Sequence, residues 1–166
     1  MTLKSLLDEM LRRAHIYLAQ GNRPAIVSPV HYNAAGIYYE QNEPVVLPEW
    51  RGSGLAAALY SSLRRFSMRD QNLREYKKTD WPSYLVSHCR SVREFETAYL
   101  CIDVKAVNEA ELFFDASVQP RGEPDIYLHI TMNAHAPDEQ TERQLVRLFD
   151  VASKWDVNLR SLGQLT

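Results

Sequence analysis

Three runs of about eight residues, AYLCIDVK, ELFFDASV and DIYLHITM, lie in close succession and alternate apolar with polar side chains. Period-two alternation of this length fits a strand with one buried face and little else, so these runs constrain the fold most. One set of positions collects Leu100, Ile102 and Val104, then Leu112, Phe114, Ala116 and Val118, then Ile126, Leu128, Ile130 and Met132. The intervening AVNEA and QPRGEP contain turn-forming residues, which predicts an antiparallel meander.

The rest of the chain reads around that meander. Leu3, Leu6, Leu7, Met10, Leu11, Ala14, Tyr17 and Leu18 recur at helical spacing, predicting an N-terminal helix capped by Thr2 and stopped at Gly21. AIVSPVHY and AGIYYEQNEPVVL read as short strands with a turn at residues 41–44. A central helix is predicted from Ser53, with Leu55, Leu59, Leu63 and Phe66 as its buried stripe. Residues 67–80 read as a polar surface connection. A final helix from Pro137-Asp138 is predicted to bury Leu145, Leu148, Phe149, Ala152 and Trp155. The expected class is α+β, a mainly antiparallel sheet covered on one face by N-terminal, central and C-terminal helices. At 166 residues one globular domain over 1–166 suffices.

Charge is unevenly spread along the chain. Residues 1–50 carry a net of −1, residues 51–93 a net of +6, and residues 94–166 a net of −7. The acidic C-terminal half argues against nucleic-acid binding there and fits a basic protein partner, or else the two halves neutralise each other within the fold. No run reaches the length of a membrane span, and the N-terminus is too charged for a signal peptide, so no membrane association is expected. Cys89 and Cys101 give neither a disulfide framework nor a metal spacing, and the five histidines lack ligand spacing. A cytoplasmic protein without metal or cofactor is the expectation.

The polar face of the meander is the first candidate site. It carries Tyr99, Cys101, Asp103, Lys105, Glu111, Phe113, Asp115, Ser117, Tyr127, His129 and Thr131. With symmetric connections, Cys101, Asp115 and His129 fall on one rung. A nucleophile needs the imidazole beside it and the acid beyond. Here the acid would separate thiol from imidazole by roughly 9–10 Å, so an Asp115–His129 cross-strand pair is expected instead of a cysteine triad. Such a face is either solvated or a recognition surface, and the sequence leaves both open. Catalytic residues are expected to be absent. The residues expected to bind a partner are Tyr99, Asp103, Glu111, Asp115, Asp125, Tyr127 and His129, with reversal of Asp103 and Asp115 weakening binding at little cost in stability.

The segment PEWRGSGLAAALYSSLRRF offers a second candidate. Gly52, Gly54 and Ala57 match G-x-G-x-x-A, but the following NLREYKKTDW is not the strand a dinucleotide fold requires. Arg51, Gly52, Ser53, Gly54, Leu55 and Ala56 also resemble the pyrophosphate loop of GNAT-type N-acetyltransferases. That resemblance implies acetyl coenzyme A held at Arg51, Gly52, Ser53 and Gly54. About thirty residues separate the helix from the next strand, where that family has the strand at once. Without a ligand, the glycines shape a loop and Ser53 caps the helix.

The remaining segment, KKTDWPSYLVSHCRSVREFE, places His88 next to Cys89, so their side chains diverge. Asp80 is predicted to cap a turn opened by Trp81 and Pro82, with Tyr84 and Leu85 on the Trp81 side. Ser91 and Glu94 form a capping-box pattern. Trp81 then pins the connection to the core. The run NLREYKKTDWPSYLVSHCRSVREFE, followed by VNEAELFFDA and an acidic last helix, resembles immunity proteins of bacterial contact-dependent growth inhibition systems. The resemblance implies a protein that binds and neutralises one cognate toxin domain by occluding its active site, and it assigns no individual residues.

Overall fold

A computed structural model of the chain describes residues 11–159. Strand β1 (Arg12–Ala19) pairs along its whole length with β6 (Tyr99–Ala106), antiparallel, and on its other side with β2 (Ala25–Tyr32). Strand β6 continues into the meander with β7 (Glu111–Val118) and β8 (Ile126–Asn133). Short strands β3 (Tyr38–Glu40), β4 (Val45–Leu47) and β5 (Ser67–Met68) pair with β2, the last of them parallel. The eight-stranded sheet runs β3-β2-β1-β6-β7-β8, with β4 and β5 against β2. The class is α+β, as expected.

The N-terminal helix is corrected over its second half. Residues 12–19 form β1, and residues 1–10 lie outside the described residues. Ala14 and Leu18 satisfy both a helical and a period-two pattern, while Ile16 fits the strand pattern alone. Tertiary pairing decides between them, because β1 fills the gap between β2 and β6 and satisfies its backbone groups on both sides.

Helices α1 (Leu55–Arg64) and α4 (Asp138–Trp155) pack on one sheet face. The core there joins Ala14, Ile16, Leu18, Val27, Ile102, Val104, Phe114 and Val118 to Leu55, Leu59, Leu145, Leu148 and Phe149. All the meander positions assigned to the apolar face point into this layer. Trp155 does not join the α4 stripe and remains 51% exposed at the last position of the helix. Phe66, expected in the α1 stripe, follows the end of the helix and is half-buried.

The opposite face is half covered. Helices α2 (Pro82–Val86) and α3 (Val92–Ala98) lie over β1, β2 and the start of β6. Tyr17, Ala19, Ile26, Cys89, Phe95, Ala98 and Tyr99 form a second core there, with Trp81 and Tyr84 packed on it. Phe95 is its hub, with the Trp81 and Tyr99 rings each 5.0 Å away and Tyr17 at 5.1 Å. Trp81 is thus the pin expected. Its local setting differs in detail: Asp80 accepts from Lys77 N and closes a 3-10 turn (Lys78–Asp80), while Trp81 itself precedes Pro82 at the first position of α2. Leu85 faces solvent. Ser91 caps α3 by accepting from Glu94 N at 3.1 Å, and Glu94 in return accepts from Arg90 N.

Candidate functional site

Register sets the polar face. β6 pairs Asp103 with Asp115 and β7 pairs Asp115 with His129, while His15 of β1 stands opposite Asp103. The central rung therefore reads His15, Asp103, Asp115, His129 across four strands. Cys101 lies on the next rung, between Tyr17 and Ser117, with Tyr127 beyond. The expected Cys101–Asp115–His129 rung is corrected by this shift, because the β6–β7 connection does not preserve the symmetric register assumed. The Asp115–His129 pair is present: His129 Nδ1 contacts Asp115 Oδ1.

A network of charge runs along this rung. Lys105 Nζ lies 2.6 Å from Asp115 Oδ2 and 3.3 Å from Asp103 Oδ2, so one ammonium holds two carboxylates together. Arg13 adds a second cation 3.6 Å from Asp103 and stacks its guanidinium 4.0 Å over the Tyr38 ring. Burial alone would raise the Asp115 carboxyl. The hydrogen bonds from Lys105 and His129 outweigh it and hold Asp115 below its ordinary value. The bond to Asp115 in turn raises the Lys105 ammonium.

Farther along the face sits Glu40, a buried carboxylate that sequence reasoning passed over. His15 Nδ1 and Tyr17 Oη reach its Oε1 at 2.9 and 2.5 Å, and Ser83 N and Oγ reach its Oε2 at 3.2 and 2.6 Å. Burial opposes the charge, but the bonds from His15, Ser83 and Tyr17 prevail and keep Glu40 below the usual glutamate value. An ionised carboxylate only accepts, so His15 Nδ1, Tyr17 and Ser83 all donate to it. Ser83 has one hydroxyl proton, which leaves Ser28 as the donor in the 2.6 Å Ser28–Ser83 contact. Burial first, and then the neighbouring acidic groups, push the Tyr17 phenol well above its ordinary value. Both Glu40 oxygens are saturated, so this carboxylate ties β3, β1 and α2 together and has no capacity left for a reacting proton.

His129 Nε2 lies 3.3 Å from Thr131 Oγ1, which completes an acid–imidazole–hydroxyl sequence with Asp115. The sequence stands on a strand face with His129 exposed, and the adjoining rung with Cys101 and Ser117 lines a cavity closed by Glu96, Asp156 and Leu159. The arrangement presents hydrogen-bonding groups and charge in fixed geometry. Among the described residues no cluster of His, Cys, Asp or Glu is arranged to hold a metal ion.

The expected contact residues separate into two groups. Asp103, Glu111, Asp115, Tyr127 and His129 share the uncovered part of the face, and Asp125 sits exposed just before β8. Tyr127 is the most prominent, 78% exposed. Tyr99 is corrected: only 5% exposed, it is sealed under Phe95 and offers no surface to a partner.

The glycine loop folds back on the protein itself. Gly54, at φ +98°, precedes α1 and replaces Ser53 as its cap. Glu142 Oε1 of α4 accepts from Gly54 N at 2.8 Å and Ala56 N at 3.3 Å, while Arg51 pairs with Asp150 at 3.0 Å. The N–H groups that a pyrophosphate would use thus already hold a carboxylate.

No family model and no curated protein matches this chain. Among solved structures it is similar to NMB0488 of Neisseria meningitidis, a protein of unknown function. The two share 15% sequence identity and a TM-score of 0.65 over 92% of this chain and 99% of that one. The likeness is one of fold. No helix among the described residues is long and apolar enough to cross a membrane.

Proposed function

We propose that this protein is an immunity protein, which binds a cognate bacterial toxin domain in the cytoplasm and occludes its active site with the uncovered part of the β6–β8 face. One observation carries the reading. The face presents Glu111, Asp115, Tyr127 and His129 in a fixed, largely exposed array, an arrangement suited to contact. Lys105 and Arg13 lock Asp103 and Asp115 in place, so the array is ordered before any partner arrives and little side-chain freedom is lost on binding. Tyr127 supplies apolar area with a polar end, and the exposed acids Glu111 and Asp125 supply attraction for a basic cleft.

The test is capture from the native bacterium with the purified chain as bait, followed by mass spectrometry. A toxin domain retained by the wild type and lost with Tyr127→Ala/Glu111→Lys supports the reading. Equal retention by both proteins, or no toxin retained by either, overturns it.

A further inference from the structure

The β1–β2 connection and the α2–α3 connection meet beside the second core at a cysteine. Helix α2 ends at Val86, Ser87 Oγ accepts from Cys89 N at 3.2 Å, and His88 takes a φ of +57°. The turn leaves His88 in solvent and sets Cys89 into the second core, 9% exposed. Arg23 Nη1 lies 3.2 Å from Cys89 Sγ, and its Nη2 donates to Glu94 Oε1 at 2.9 Å. A guanidinium carries only donors, so the sulfur is the acceptor, a role that a thiolate fills better than a thiol. The Arg23 and Glu94 side chains are 33% and 34% exposed, which opens the cluster to small solutes on one side.

A third group in the cluster lacks a partner for its proton. The Tyr99 hydroxyl is buried, and among the described residues its proton finds no acceptor. Burial pushes this phenol up to about 12, Cys89 adds to the effect and Arg23 opposes it, so Tyr99 Oη lies in the field of both. A buried donor without an acceptor is costly, and an acceptor atom added to Sγ would meet it. Cys101 provides the contrast. It reaches solvent in the cavity it shares with Ser117, yet enclosure by the protein pushes its thiol up to about 12, a Tyr17 hydrogen bond opposing and Glu40 and Asp103 adding. The more exposed cysteine is the one held as a thiol.

We propose that Cys89 is a peroxide-reactive cysteine, oxidised reversibly to the sulfenic acid while Cys101 stays reduced. The Cys89 sulfur, having given its proton to solvent, attacks one oxygen of hydrogen peroxide. The S–O bond forms, the O–O bond breaks, and the departing hydroxide takes up a proton from solvent. Two electrons pass from sulfur to peroxide, so the step needs no other oxidant. The new oxygen accepts from Arg23 and from Tyr99, which supplies the acceptor that the buried phenol lacks. Glu94 holds the guanidinium from its other side. The reaction places a redox-sensitive group in the α2–α3 cover.

This inference does not depend on the toxin-binding reading. The test treats the reduced, purified chain with hydrogen peroxide in the presence of dimedone, which labels sulfenic acids, and follows each cysteine by peptide mass spectrometry. Cys89 is expected to label about tenfold faster than Cys101, and a thiol reductant added before dimedone to abolish the label. Arg23→Gln is expected to slow Cys89 labelling about tenfold. Tyr99→Phe keeps the ring against Phe95 and is expected to shorten the life of the sulfenic acid, which passes on to the sulfinic acid. Cys101 labelled as fast as Cys89, Cys89 labelled only in urea, or a Cys89 rate unchanged in Arg23→Gln overturns the proposal. A sulfenic acid as long-lived in Tyr99→Phe as in the wild type overturns the part given to the phenol.

Discussion

Glu40 Oε2 and the Ser83 hydroxyl meet at 2.6 Å although 43 residues separate them in sequence. The contact fastens the α2–α3 cover onto the sheet from the polar side, while Phe95 fastens it from the apolar side. Removing the carboxylate strands buried donors from Tyr17 and Ser83. Glu40→Ala is therefore expected to cost about 3–5 kcal/mol in urea unfolding. A loss under about 1 kcal/mol would mean that water replaces the carboxylate at no penalty.

The same residue predicts an acid limb in the stability curve. Glu40 and Asp115 are both held below their ordinary values in the folded state. A lowered carboxyl contributes stability above its unfolded pKa and loses it as pH falls through the folded one. Melting temperature should thus drop as pH falls from 4.5, the ordinary glutamate value, toward the lowered folded values. Glu40→Gln should flatten that limb, and a limb of unchanged slope in the variant would show that Glu40 does not drive it.

Phe95 touches four aromatic rings in the second core. Phe95→Ala should cost about 3–5 kcal/mol. Hydrogen exchange should locate the loss, with amides of residues 82–98 losing protection before those of β6 and β7. Uniform loss across the sheet would show that the cover and the sheet unfold as one unit.

Reversing Asp103 and Asp115 no longer makes a clean test of binding. Both acids hold Lys105, and Asp115 also holds His129, so their reversal leaves Lys105 and Arg13 facing new cations and takes the carboxylate partner from His129. Tyr127→Ala is the sharper variant. It is expected to change stability by no more than about 0.5 kcal/mol and to weaken toxin binding about tenfold or more. Calorimetry showing unchanged affinity would remove Tyr127 from the contact.

Glu142 should make the glycine loop indifferent to coenzyme A. Wild-type protein is expected to show no thermal shift with millimolar acetyl coenzyme A, and Glu142→Ala to lose about 1 kcal/mol of stability as α1 loses its carboxylate. A clear upward shift in the wild type would favour the acyl-transfer alternative.

The meander was legible because its three strands obey period two over their full length, which fixes the face of every side chain. Strand β2 was legible from AIVSPVHY, and the Asp115–His129 pair followed from the alternation. β1 was not, since Ala14 and Leu18 serve a helix or a strand equally well, Tyr17 extends the helical stripe, and only the space between β2 and β6 chooses. Glu40 carried no local signal, as its four donors come from β1 and α2.

The sequence by itself determined which residues share a face, because the alternation of side chains is a property of one strand. Which residues stand beside one another across strands was decided by the tertiary structure. Register depends on how each connection closes, and its shift placed Asp103 beside Asp115 and left Cys101 beside Ser117. Coverage was decided there too: Tyr99 and Tyr127 belong to the same face, yet the packing of Phe95 buries one and leaves the other in solvent.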